Sequence, residues 1–166
     1  MGGWLRSKGI ENLGSNFRFQ DTNNIQDKAR LLSSLASNII VDYTSVVPEW
    51  GQKPYTSHAF VEEWLGPIHL GLKPLGTQHF LGHPYFKFVS GTEIVVEWQQ
   101  AAFHGRRKFG ENYENAMCEI VAESNGHSYM QHTFINVNGR WRISIIRPEV
   151  IYQTGSFMDI RKQDPA

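Results

Sequence analysis

Residues 93–104, EIVVEWQQAAFH, constrain this chain more than any other stretch. Their alternation sets Ile94, Val96, Trp98, Gln100, Ala102 and His104 on one face of a strand. That face is largely apolar and belongs in the interior of a sheet, and it ends in a histidine. A buried imidazole without a partner is costly, so the position demands one. A second histidine, His79, stands 25 positions earlier in the run Gly76-Thr77-Gln78-His79-Phe80-Leu81-Gly82. Two readings stay open at this level. The histidines are hydrogen-bonded core residues, or they are a pair of proton-transfer groups in a shielded cavity.

The rest of the chain supplies walls for such a cavity. Residues 25–36 carry Ile25, Leu32, Leu35 and Ala36 on a helical stripe, and a second helix is expected from about Ser57, with Phe60, Val61, Trp64 and Leu65 at helical spacing. Between them, residues 39–46 alternate as a strand that Pro48-Glu49-Trp50-Gly51 ends. From residue 77 onward the pattern is repeated strands, at about 77–89, 93–104, 113–124, 127–137 and 140–147. Ser90-Gly91, Asn125-Gly126 and Asn138-Gly139 punctuate them, and the last two pairs are strong hairpin signals. Helices followed by antiparallel strands predict an α+β fold, with the helices on one side of a curved sheet. At 166 residues, with no internal repeat or linker, residues 1–166 read as one domain.

Composition removes several function classes. Sixteen basic and sixteen acidic side chains cancel (16 − 16), which offers nothing to nucleic acid or to an anionic membrane surface. No apolar run reaches the roughly 18 residues needed to span a bilayer. The segment MGGWLRSKGIENLG has no hydrophobic signal core, and Arg6 stands where a myristoylation pattern has Ser or Thr, so a cytoplasmic location is expected. The single cysteine, Cys118, excludes an intrachain disulfide and reads as a buried thiol. His127 and His132 are an odd number of residues apart, so one flat strand does not aim both at one metal. His79 and His104 lack a carboxylate at ligand-like spacing. Phosphate loops, nucleotide fingerprints and nucleophile elbows are missing, so neither a metal nor a cofactor is expected. An aromatic content of 13% can line a sizeable apolar pocket, though aromatics more often simply fill the core.

Six short motifs in order carry a resemblance. They are Val41-Asp42-Tyr43, the 76–82 run, Phe103-His104, Gly126-His127-Ser128, Asn138-Gly139-Arg140-Trp141 and Arg147-Pro148-Glu149. Together they resemble the fungal scytalone dehydratases, over about residues 39–160. The resemblance implies a cone-shaped α+β barrel of the SnoaL-like and nuclear-transport-factor-like type. In that fold a strongly bent antiparallel sheet is closed by N-terminal helices around one pocket. It also implies dehydration of a cyclic, polyketide-derived hydroxy ketone without cofactor, and a homotrimer. By resemblance His104 and His79 are the paired catalytic histidines, Tyr43 holds a water on the substrate carbonyl, and Ser128 lies near the substrate.

Some positions depart from the family pattern. Counting nineteen and twenty residues back from Tyr43 lands on Asn24 and Asn23, where the family carries a Tyr-Asp pair whose carboxylate orients the deep histidine. Asn24 is a candidate to take over that contact, and Asp21 or Asp27 is the alternative after a slip in register. Met130 replaces a substrate-binding asparagine. Trp98 and Tyr55 are candidate pocket aromatics, and Trp98, Phe134, Trp141 and Ile143 read as wall or core. Residues 1–22 form a divergent N-terminal segment. Residues 149–166 form a C-terminal tail in which Phe157 and Met158 are placed to act as a lid. Three functions follow: a dehydratase, an isomerase or pericyclase-type cyclase in the same cavity, and a non-catalytic ligand-binding module.

Overall fold

A computed structural model describes residues 28–162. Its centre is one seven-stranded sheet in the order β2-β1-β7-β6-β5-β3, with β4 also paired to β5. The strands are β1 (Leu35–Asp42), β2 (Gln52–Thr56), β3 (Leu75–Leu81), β4 (Tyr85–Val89), β5 (Glu93–Arg107), β6 (Ile120–Val137) and β7 (Arg140–Gly155). All pairings are antiparallel except that of β1 with β7. Helices α1 (Lys28–Ser34) and α2 (Ser57–Trp64) pack on each other and against β7, β1 and β2, while α3 (Phe157–Ile160) packs on β5 and β6.

The long strands bend because their ladders are interrupted. β7 carries one extra residue opposite His127–Ser128 and another opposite Thr133–Phe134, and β6 carries one opposite Arg106–Arg107. Each bulge adds twist and curls the sheet toward one face. The concave face holds the main core: Ile39, Val41, Ile94, Val96, Trp98, Phe134 and Ile143, closed by Phe60 and Val61 of α2. A second cluster, Leu70, Leu72, Leu75 and Ile160, fills the opposite end. Trp64 packs against both.

Several expectations are corrected. Asn138 and Gly139 form the anticipated hairpin, with φ of 54° and 80°. Asn125-Gly126 does not turn. It lies inside β6, flanked by Phe103 and Ala102 on β5 and by Thr154 and Gln153 on β7. Two long neighbouring strands hold the pair extended, so tertiary pairing overrides the local turn preference. Residues 113–119 are not a strand. The side chains of Asn112 and Asn115 accept the backbone N–H groups of Glu114 and Met117, each at 3.0 Å, which curls the segment into successive Asx turns. The run 77–89 is two strands laid end to end along one edge of β5, because Pro84 in the connecting Gly82-His83-Pro84 has no N–H for the ladder. The first strand spans Leu35–Asp42 rather than 39–46, which takes Leu35 and Ala36 out of the helix. β2, an edge strand around Pro54, was not anticipated. The segment from residue 149 begins as sheet, since β7 continues to Gly155.

Candidate active site

Register determines which side chains meet on the concave face. Across β3, β5, β6 and β7, one row reads Thr77, His104, Ser124, Gly155. The next reads His79, Ala102, Gly126, Gln153, and the third reads Leu81, Gln100, Ser128, Val150. Directly paired residues on one face lie about 4.5–5.5 Å apart at Cβ. The middle row therefore has a low floor, Ala102 and Gly126, walled by polar residues on all sides. A Cβ built on Gly126 would meet no heavy atom within 4 Å, so the floor opens on space.

The two histidines converge at one edge of this floor. Their ring centroids are 5.2 Å apart, with planes at 88°. His104 is buried, and its Nδ1 lies 3.1 Å from Thr77 Oγ1. Among the described residues its Nε2 has no hydrogen-bond partner, so the Thr77 contact is the only hydrogen bond of this ring there. Phe157, at the start of α3, sets its ring 5.9 Å from His104. Burial lowers His104 to about 4. Burial and then the neighbouring His104 lower His79 to about 3. Both rings are neutral at pH 7, so His104 can accept a proton through Nε2 while Nδ1–H donates to Thr77.

Tyr43 stands one residue past the end of β1. Its ring stacks on Trp64 at 5.7 Å and meets the edge of Trp50 at 5.6 Å. Burial, then the neighbouring Tyr55 and Glu63, pushes its phenol well above the ordinary value, so it remains an O–H donor. Among the described residues that hydroxyl has no hydrogen-bond partner, and the ring contacts of Tyr43 do not include either histidine. Tyr55 is held at α2, donating to Glu63 Oε1 at 3.1 Å and meeting Phe60 edge-on.

The other candidates divide by depth. Ser128 is buried on the concave face two rows from His104. Trp98 is in the core with its ring 5.0 Å from His132, and Met130 sits opposite it on β6. Phe157 approaches His104, whereas Met158 is 74% exposed. Asn24, expected behind His104, lies outside the described residues. Thr77, which does contact His104, was missed by sequence reasoning. Its signal was its position two residues before His79, which puts both on one face of β3. Among the described residues no three His, Cys, Asp or Glu side chains group as a metal site.

Comparison with known proteins agrees with this geometry at the level of family. The model of a family described as scytalone dehydratase matches residues 10–165. Dehydratase cfoI of Aspergillus candidus is 36% identical over 147 residues, covering 88% of this chain and 84% of its own. A scytalone dehydratase of Colletotrichum orbiculare is 29% identical, covering 85% and 72%. Among solved structures, the hexachlorocyclohexane dehydrochlorinase LinA-type3 of Novosphingobium barchaimii superimposes with a TM-score of 0.62 at 12% identity, covering 93% and 92%. The Kfla4162 protein of Kribbella flavida gives 0.68 at 10% identity, covering 94% and 98%. At such identities the structural matches speak for the curved α+β cone alone.

Proposed function

The chain belongs to the scytalone dehydratase family, and from that premise and the site geometry we propose that it dehydrates a cyclic β-hydroxy ketone derived from a polyketide. The observation that carries the reading is His104: Nδ1 engaged by Thr77, Nε2 without a hydrogen-bond partner among the described residues, and a second neutral imidazole 5.2 Å away between ring centroids.

The step balances within the site. Nε2 of His104 takes the proton α to the carbonyl, and the C–H electrons form the new double bond as the β C–O bond breaks. The imidazolium returns its proton to the departing hydroxyl, which leaves as water. Tyr43, neutral by virtue of its raised pKa, donates through a water to the substrate carbonyl and draws off the developing negative charge. His79 accepts a hydrogen bond from the departing hydroxyl beside His104, and that hydroxyl keeps its own hydrogen as it leaves in water. Ser128 orients the substrate from the third row. Each positioned acid or base is worth about 10²–10⁴-fold.

The test is a product assay with a β-hydroxytetralone on wild type, His104→Ala and His79→Ala. Loss of one water in the product, abolished by His104→Ala in a protein that still melts cooperatively, is the expected outcome. Normal turnover by a folded His104→Ala protein would sink the proposal.

A second reading, isomerisation or cyclisation in the same cavity, draws on one observation. The described partner of His104 is a hydroxyl rather than a carboxylate, which stabilises imidazolium less. A product of unchanged mass would favour it.

A further inference from the structure

At the far end of the middle row, Gln153 faces His79 across Ala102 and Gly126. Three strand spacings separate their backbones, about 14 Å at the usual 4.8 Å per strand. Nothing larger than a methyl group stands between them on the sheet. Gln153 is exposed at the end of this row, yet its amide is not loose. Its Nε2 donates to Ser124 Oγ at 3.0 Å, and Ser124 is only 2% exposed. Satisfying a buried hydroxyl takes one N–H of this amide. The second N–H and Oε1 have no other partner among the described residues, so one donor and one acceptor remain side by side.

We propose that Gln153, positioned by Ser124, is a substrate-binding residue that receives a second oxygen of the substrate. That oxygen is a phenol or enol hydroxyl at the end of a fused ring system remote from the carbon that loses water. The inference rests on the elimination reading and narrows its substrate class. A hydroxyl suits the subsite because it can donate to Oε1 and accept from Nε2 at once. A flat fused ring suits the floor, because Gly126 and Ala102 leave a trough between His79 and Gln153. One end of the molecule then reaches Nε2 of His104 while the other reaches the amide.

The test compares two ketones that differ by one group: an unsubstituted β-hydroxytetralone, and the same compound with one phenolic hydroxyl on its far ring. Wild type is expected to favour the phenol-bearing ketone in kcat/KM by about three- to tenfold, the span of one neutral hydrogen bond. Gln153→Leu, at an exposed position, should abolish that preference through a fall confined to the phenol-bearing compound. Ser124→Ala should give an intermediate preference, because the amide keeps its groups and loses its anchor. No preference in wild type, or a preference intact in Gln153→Leu, would overturn the assignment. Where neither ketone is turned over, the dehydratase reading fails and the subsite is read separately, by titrating naphthol against the matching naphthalenediol. Tighter binding of the diol, lost in Gln153→Leu, supports the subsite; equal binding of the two overturns it.

Discussion

Replacing Thr77 with valine removes one hydroxyl and leaves the shape of the side chain and its strand preference in place. The contact at stake is the 3.1 Å bond to Nδ1 of His104. In the resting enzyme it joins two neutral groups and is worth about 0.5–1.5 kcal/mol. In the transition state for proton removal the imidazole gains positive charge, and the same bond rises to about 1.5–3 kcal/mol. Only the difference accelerates the reaction. Thr77→Val should therefore cost about 0.5–2 kcal/mol of barrier, a fall in kcat of roughly two- to thirtyfold at 1.36 kcal/mol per decade. KM should barely move, because Thr77 touches the base and not the substrate.

The pH profile separates this from a packing defect. Thr77 favours the charged imidazole, so its removal should push His104 further below its value of about 4. In the proposed elimination activity requires neutral His104 and is lost as pH falls through that value, so the acid limb of kcat/KM should move to lower pH. Thr77→Ser should restore both kcat and the limb. The measurement is stopped-flow formation of the aromatic product after a jump from pH 8 to final values between 3.5 and 8, read within the first turnovers before acid unfolding and set to bracket about 4 and neutrality. A kcat within twofold of wild type, or an acid limb shifted upward, would refute the role given to Thr77.

Two further predictions concern stability. His79, His104 and His132 are held neutral at about 3, 4 and 3, against an ordinary value of 6.5. Below pH 6.5 the unfolded chain takes up protons that the native state refuses, so stability is full above that pH and falls as pH drops. Each group contributes up to about 1.4 kcal/mol per pH unit, and the three together about 4; Tm should be level above pH 7 and fall steeply below about 6, whereas a Tm unchanged down to pH 4 would contradict neutral burial. Asp42 acts later and in the same direction, because its lowered value of about 2 leaves its contribution intact until pH drops below 3.8. It accepts from Thr44, Gln52 and Arg147 at 2.7, 3.0 and 2.8 Å, so Asp42→Asn should cost about 2–4 kcal/mol by turning an amide N–H toward donors. A loss below about 1 kcal/mol in chemical denaturation would show that Asp42 does not tie the first, second and last strands together.

How much of this was legible in the sequence depended on whether the signal was local. The alternation of 93–104 was, and it put His104 on the buried face. So was the Asn138-Gly139 turn, since both residues need positive φ. Asn125-Gly126 carries the same local signal with the opposite outcome, because β5 and β7 are long enough to hold it extended. Nothing within the dipeptide records the length of its neighbours. Thr77 illustrates the limit from the other side. Its place on the face of His79 followed from a two-residue spacing, but its contact with His104 requires the register between β3 and β5, which no single segment encodes. The Gln153–Ser124 bond was invisible for the same reason.

The weak basicity of the histidines bears on what the site can eliminate. A base lowered to about 4 is available at every physiological pH, since it is never lost to protonation, but it pulls on a proton with little force. Burial supplies the availability and exacts the weakness, and a hydroxyl at Nδ1 recovers less of it than a carboxylate would. The shortfall has to be met by the substrate. In the proposed reaction, an α-proton made acidic by a carbonyl bonded through water to Tyr43, and an elimination that ends in an aromatic ring, lower the barrier from the substrate side. Simple hydroxy ketones offer the first of these and not the second. On the proposed elimination, two neutral imidazoles at one end of an Ala102–Gly126 floor call for a ring that aromatises when it loses water. An aliphatic β-hydroxy ketone of similar size should bind on that floor and remain unchanged.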